Sequence, residues 1–202
     1  MSIYLDDQPV DLSGDSLAEV LSSAHDQLAQ TGRIVVEVSL DGETLAPNEL
    51  DRQEQQPVSG GELRLYSADP RDLSRSTLEG LLGELDQARQ LQTDAAEQIT
   101  QDQLVEAMDM LGRAMEIWQQ THQAVSQSLS LVGIDLDDVE VEGQHGPEIV
   151  DKLVDQLKAM RDTIQGADSV GLADVLAYEW PEIAELWQKM LASIIEKLDE
   201  ID

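Results

Sequence analysis

The chain has 202 residues, 42 of them acidic against 12 basic, for a net charge of −30, and 41% of it is apolar. That length holds one large or two small domains with a packed core. The charge repels nucleic acid and anionic membranes, and the absence of Cys excludes disulfides, thiolate nucleophiles, zinc–thiolate sites and iron–sulfur clusters.

The opening MSIYLDD lacks the basic region and apolar run of a signal peptide. No apolar stretch approaches the roughly 18 residues needed to span a bilayer. The expected location is therefore cytoplasmic, with no membrane partner. With only four Lys, the acidic surface suits either a salty habitat or a basic partner. Phe is absent, so the core must come from Leu, Val, Ile, Met, Ala and a few Trp and Tyr.

Apolar residues alternate up to Asp69-Pro70 and follow helical spacing after it, which predicts two domains, 1–68 and 69–202. Residues 2–6 read as a strand, with Ile3 and Leu5 on one face and Tyr4 on the other. A turn around Asp6-Asp7-Gln8-Pro9 leads to a second short strand carrying Val10 and Leu12. Ser13-Gly14-Asp15-Ser16 supplies N-cap residues for a helix on Leu17, Val20, Leu21, Ala24 and Leu28, which Gly32 is placed to end. The clearest strand is 33–40. Its alternation sends Ile34, Val36, Val38 and Leu40 one way and Arg33, Val35, Glu37 and Ser39 the other. Asp41-Gly42 is a hairpin turn signal. A polar loop rich in Gln and Glu follows, and Glu62-Leu63-Arg64-Leu65-Tyr66 closes the domain as its last strand.

This β-β-α-β-β-β order in under 70 residues resembles the β-grasp fold of ubiquitin-like domains over about a third of the chain. Ubiquitin-like modifiers end in an exposed Gly-Gly tail. Here Gly60-Gly61 precedes the last strand and the chain runs on, so the resemblance implies a built-in interaction domain rather than a conjugated modifier. In such a sheet the first, last and long third strands lie side by side. Tyr4, Val35, Glu37, Arg64 and Tyr66 then share the face away from the helix, and by residue type they form a candidate protein-binding patch. The plainer alternatives are cross-strand Tyr pairs that stabilise the sheet, or a face that packs on the helical domain.

The second part predicts an antiparallel bundle of about four helices, making the whole chain α+β. Ser76-Thr77-Leu78-Glu79 and Thr100-Gln101-Asp102-Gln103 have capping-box form. Leu78, Leu81, Leu85, Ala88, Gln92, Ala95 and Ile99 step by three and four. Leu104, Met108, Leu111, Met115, Trp118, His122, Val125, Leu129 and Val132 form an unbroken 4-3 seam over about four heptads, ended by Gly133. The seam's phase shifts between Ile99 and Leu104, which is consistent with a turn or with one kinked helix. Residues 134–146 read as an acidic connector. Pro147 opens a helix lined by Val150, Leu153, Leu157, Met160 and Ile164 and stopped by Gly166. A last helical region runs from Leu172 to Ile201, interrupted or kinked at Pro181.

Chemical motifs are sparse. His122, on an apolar seam, is a candidate ligand or general base, but position 119 is Gln, so the Glu-x-x-His motif of di-iron bundles is missing. A core or core-edge His is the simpler reading. Asp135, Asp137, Asp138, Glu140 and Glu142 offer oxygens for a hard cation, yet Val139 and Glu140 break the EF-hand pattern, and a solvated loop accounts for them. Glu179, Glu182 and Glu185 near Trp180 and Trp187 are candidate paired carboxylates, or simply a charged outer helix face. The phosphate-binding, dinucleotide-binding and nucleophile-elbow patterns are absent, and His25, His122 and His145 lie far apart in sequence. The expected function is a non-catalytic adaptor, scaffold or chaperone-like protein with a protein partner, no cofactor and no metal, self-associating through 104–132 unless that seam is intramolecular core. The contrasting classes are a helical-bundle enzyme or metal protein using His122, and an acidic nucleic-acid mimic that binds a basic protein.

Overall fold

The structure, a computed structural model, describes residues 2–53 and 61–200. The expected positions Gly60 and Ile201, and part of the polar loop, lie outside the described residues. The chain is α+β and divides into two compact units, Met1–Leu73 and Ser74–Asp202.

The first unit contains β1 (Ser2–Leu5), β2 (Gln8–Pro9), α1 (Leu17–Ala29), β3 (Ile34–Leu40), β4 (Glu43–Thr44), α2 (Pro47–Gln53) and β5 (Glu62–Ala68). The strands form one mixed sheet in the order β2-β1-β5-β3-β4, with β1 parallel to β5 and the other pairs antiparallel. Two-residue turns set both hairpins. Asp6 and Asp7 have φ of 50° and 61°, Asp41 and Gly42 of 52° and 87°, and positive φ at both positions matches the right-handed twist of the strands they join. The tight Asp6-Asp7 turn corrects the expected second strand. It pairs Leu5 with Gln8 and Tyr4 with Pro9, so β2 lies two residues before the predicted Val10 and Leu12. Pro9, with no N–H to leave unpaired, suits the outermost strand. Val10 still donates to Ile3 O at 3.0 Å, and Leu12 turns into the core.

Ser16 caps α1: its Oγ accepts from Glu19 N at 3.3 Å, and Glu19 Oε2 accepts from the N–H of the preceding Asp15 at 2.7 Å. Leu17, Val20, Ala24 and Leu28 then lie against Leu5, Val38, Leu63 and Leu65 in one buried cluster. A fully buried Leu or Val contributes about 1.5–3 kcal/mol, so this set carries most of the first unit's stability.

In the second part of the chain, α3 (Pro70–Thr100) and α4 (Leu104–Val132) are followed by a 3₁₀ turn (Leu136–Asp138), a hairpin of β6 (Glu140–Val141) and β7 (Gln144–His145), α5 (Gly146–Gln165), α6 (Ser169–Asp174), a π-helical turn (Val175–Glu179) and α7 (Trp180–Glu200). Among the described residues these include six helical segments, five α-helices and the π turn, rather than about four. The predicted start of α3 at Ser76 is six residues late. Pro70 occupies the first turn, where its missing N–H costs nothing, and Asp69 Oδ1 accepts from Arg71 N at 2.8 Å. Between α3 and α4 the chain makes a true turn, with Asp102 at φ 58°. The predicted cap at Thr100 does not form there, because its hydroxyl donates back to Glu97 O at 2.7 Å.

The largest correction concerns the seam of α4. The buried stripe is Ala107, Leu111, Ala114, Trp118, Thr121, Val125 and Ser128, with Ile117 and Leu129 beside it. It shares Leu111, Trp118, Val125 and Leu129 with the predicted seam, but Ala107, Ala114, Thr121 and Ser128 are buried, whereas the predicted Met108 and Met115 are only partly so. Leu104 and His122 are exposed. Small residues let neighbouring elements approach α4, and the larger side chains one step round mark the edge of the contact.

The acidic connector is also more ordered than predicted. Val139 is 0% exposed and Val141 is buried with it, while the Glu142-Gly143 turn closes the β6–β7 hairpin. A Cβ at Gly146 would strike the Leu136 carbonyl and side chain, so glycine is what lets α5 start there. Pro181 explains the π turn. Its missing N–H breaks the α-helical register, and Trp180 N–H reaches back five residues to Val175 O.

Trp118 is 2% exposed, against Trp180 and Trp187. Trp118→Ala should cost about 3–5 kcal/mol in urea unfolding, and Ala114→Leu about 1–3 kcal/mol by overpacking. Exposed Glu116→Ala should change stability by only a few tenths. An Ala114→Leu protein as stable as the parent would restore the predicted seam.

Candidate functional site

The β3–β5 pairing decides which side chains share the outer face of the sheet. Val35 pairs with Ser67 but Glu37 pairs with Tyr66, so Val36 is an extra residue, a β-bulge, and is 45% exposed. The bulge inverts the alternation before it. Val35, predicted on the outer face, packs against the unit's hydrophobic core. Ile34, predicted inside, pairs with Ala68 and shares the outer face with Glu37, Ser39, Arg64 and Tyr66. Parallel pairing of Tyr4 with Arg64 adds β1 to this face.

Four of the five predicted residues, Tyr4, Glu37, Arg64 and Tyr66, therefore come together, and Val35 does not. Arg64 is the hub. Its guanidinium lies 4.8 Å from the centroid of the Tyr4 ring, donates to Glu62 Oε1 at 2.6 Å and donates to Asp7 Oδ1 at 2.6 Å. Tyr66 Oη also donates to Asp7 Oδ1, at 3.4 Å, and Thr44 Oγ1 donates to Glu37 Oε1 at 3.0 Å. The hydrogen bond to Glu62 raises the Arg64 pKa above its already high ordinary value, so the group is a fixed cation. The result is a half-exposed plate of two aromatic rings and one immobilised guanidinium, rimmed by carboxylates. It can stack and form hydrogen bonds, and Tyr and Arg are the residue types that dominate binding energy at protein interfaces. Sequence reasoning missed Ile34, because no local signal marks a bulge inside an unbroken β-branched run.

At the edge of the same sheet, Asp6 Oδ1 accepts from Ser67 N at 2.7 Å and Asp6 Oδ2 accepts from Ser67 Oγ at 2.6 Å, with the Arg33 guanidinium 3.8 Å away. Burial pushes the Asp6 carboxyl up, but the Ser67 hydrogen bonds and the Arg33 charge outweigh it and lower its pKa.

The other candidates fare differently. His122 is exposed on α4, its ring 6.2 Å from that of Trp187. His25 is exposed on α1, and His145 Nδ1 lies 3.0 Å from Asp137 O. Among the described residues, no group of three or more His, Cys, Asp or Glu is arranged to hold a metal. Asp135 caps the 3₁₀ turn, its Oδ1 accepting from Asp137 N at 3.1 Å. Glu179, Glu182 and Glu185 are all exposed. Glu182 and Glu185 line an open polar cleft of about 660 Å³ with Lys152 and Lys189, and Lys189 pairs with Glu142 at 2.8 Å and Glu185 at 3.2 Å. The hydrogen bonds that Lys189 donates to Glu142 and Glu185 raise its pKa, which keeps it charged rather than nucleophilic.

A feature not singled out from the sequence is a furrow between α4 and α5. An apolar hollow of about 410 Å³ is lined by Met115, Trp118, Leu153, Val154, Leu157 and Met160. It meets a second hollow of about 360 Å³, lined by residues including Val125, Leu129, Ile134 and Asp135, at their shared walls His122 and Val150. The signal was present in two facing apolar stripes, but the α5 stripe was read as an inner face and the α4 seam as a self-association surface or intramolecular core.

Residues 1–63 match the family described as the TP0873 N-terminal domain. No curated protein matches the chain, and no solved structure matches it.

The Asp6 contribution has a defined pH window. Its folded pKa is lowered, so its stabilisation is fully present above the unfolded value of about 3.9 and is lost as the pH falls through the folded value. Asp6→Asn, which tolerates the left-handed backbone at this position, should lower stability at pH 7. In urea melts its deficit against the parent should shrink below about pH 4. A deficit that stays constant from pH 7 to acid would show that the Asp6 charge contributes nothing.

Proposed function

We propose that this protein is a non-catalytic, cytoplasmic protein-interaction adaptor, scaffold or chaperone-like protein, and that its N-terminal unit is a ubiquitin-like β-grasp domain. The order β2-β1-β5-β3-β4, the parallel β1/β5 pair and α1 covering one face support the fold reading. The observation that carries the functional reading is the Tyr4–Arg64–Tyr66 plate. Its half-exposed side chains are held in place by Asp7 and Glu62, so little side-chain entropy remains to be lost on binding. The opposite face of the sheet is committed to the core, so the outer face is the surface this unit presents to a partner. The net charge of −30 favours a basic partner by speeding encounter and rejecting acidic competitors.

The test is affinity capture from the native host with the parent chain and with a Tyr4→Ser/Tyr66→Ser variant, each first shown to melt cooperatively. The parent should retain a defined, salt-sensitive set of proteins, and the double variant should lose it. An identical set from both would remove the sheet face from the interaction, and turnover of a small molecule by the purified chain would refute the non-catalytic reading.

A further inference from the structure

The furrow between α4 and α5 lies within the second unit and is independent of the sheet face. The two helices run antiparallel along it: Met115 and Met160 line one end, while Leu129 and Val150 line the other. From Met115 to Leu129 the furrow follows about 21 Å of α4, or about four helical turns. Its floor consists of Trp118, Val125, Leu153 and Leu157, with Trp187 at the second hollow, and Met115 and Met160 add flexible, polarizable side chains that adapt to varied apolar shapes. Val154 lies in this apolar wall and is 40% exposed.

The two ends differ in charge. The Met115/Met160 end is apolar. The other end opens on Ile134, Asp135 and Leu136, where the chain enters the segment Asp135, Asp137, Asp138, Glu140 and Glu142. No Lys or Arg lies anywhere between Ile134 and Gly146. Asp135, which lines the hollow, is exposed, as are Asp137 and Asp138 beside it. An apolar trough of helix length that runs into an acidic mouth at Asp135, Asp137 and Asp138 matches one kind of occupant by shape and charge. We infer that this furrow docks an amphipathic α-helix of a basic partner protein, with its apolar stripe along the trough and its cationic residues at the Asp135–Asp138 mouth. A second copy of this chain fits poorly, because it would bring another charge of −30 to that mouth.

The test uses the full chain and three labelled synthetic peptides of about 18 residues. One has a single Leu stripe on a Lys-bearing helix, the second carries the same stripe with Glu replacing Lys, and the third is a scramble of the first. Fluorescence anisotropy should show binding of the first alone, weakening as salt is added. Val154→Glu should reduce its affinity at least about tenfold by placing a charge in the trough. Asp135→Asn/Asp138→Asn, which leaves the trough apolar, should weaken binding and flatten its salt dependence. Val170→Glu, at a 74% exposed position on α6, should leave it unchanged. All three variants should melt cooperatively, as expected for exposed positions. Equal binding of the scramble or of the Glu peptide would overturn the inference, as would indifference to Val154→Glu. A concentration-dependent dimer of the parent that Val154→Glu dissolves would assign the trough to a second copy and overturn it as well.

Discussion

Three indoles meet at one point, and the arrangement of the helical unit follows from that contact. Trp118 on α4 packs against Trp180 at 5.4 Å and edge-on against Trp187 at 5.6 Å, so the ring of one helix sits between two rings of another. With the Gln92 amide turned so that its oxygen faces the indole, Gln92 accepts from Trp118 Nε1 at 3.3 Å and donates to Ala88 O at 3.2 Å, which ties α3 to the same point. Trp180 Nε1 and Trp187 Nε1 are buried with no acceptor among the described residues, at a cost of about 1–3 kcal/mol each. Ring contacts of about 0.5–1.5 kcal/mol apiece and the burial of large apolar areas offset that cost. Side chains this bulky can share one layer only if the adjoining layers are thin. Ala107 and Ala114 above Trp118, and Thr121 and Ser128 below it, supply that thinness along α4.

Pro181 connects this cluster to the irregular part of the last helix. A regular α-helix through 169–200 would place α6 and α7 on one continuous face. The π turn inserts a residue into the register just before Trp180, so the buried face changes from Leu172, Val175 and Leu176 to Trp180, Ile183, Trp187 and Met190 without a loop. The proline thus resets the helix phase instead of ending the helix, and both stretches remain in one hydrophobic core.

How much of this was legible depended on whether the deciding force acted within one segment. Turns governed by local backbone chemistry, such as Asp41-Gly42, and helix ends such as Gly133 could be read directly. The phase shift after Ile99 marked an irregularity there but left a turn and a kinked helix both open, because an apolar pattern reports a change of face and not how far the chain turns. The α4 stripe was misread by one position, since hydrophobicity ranks Met108 and Met115 as core above Ala107, Ala114, Thr121 and Ser128, and the 4-3 spacing carried His122 in with them. Steric room beside Trp118 ranks them the other way, and that room belongs to the neighbouring elements. The sheet face failed at Val35 for a similar reason: whether Val36 bulges depends on its pairing with β5, which no window around β3 contains. In the acidic connector, Val139 and Val141 looked like solvated residues because the carboxylates between them dominate the composition, yet alternation with Glu142-Gly143 was the mark of a small hairpin. The furrow between α4 and α5 escaped because an apolar stripe shows that a surface avoids water, not whether the protein itself covers all of it.

Placing every Trp of the chain in one cluster also divides the molecule optically. The first unit contains no indole, only Tyr4 and Tyr66, whereas the second contains Trp118 in contact with both Trp180 and Trp187. Emission excited at the red edge of protein absorbance therefore comes from the helical unit alone, and the fixed, tilted and edge-on packing of the indoles gives that unit a circular dichroism signature in the near ultraviolet. Loss of packing in the sheet unit leaves both signals intact, so the two units can be followed separately in the unlabelled protein.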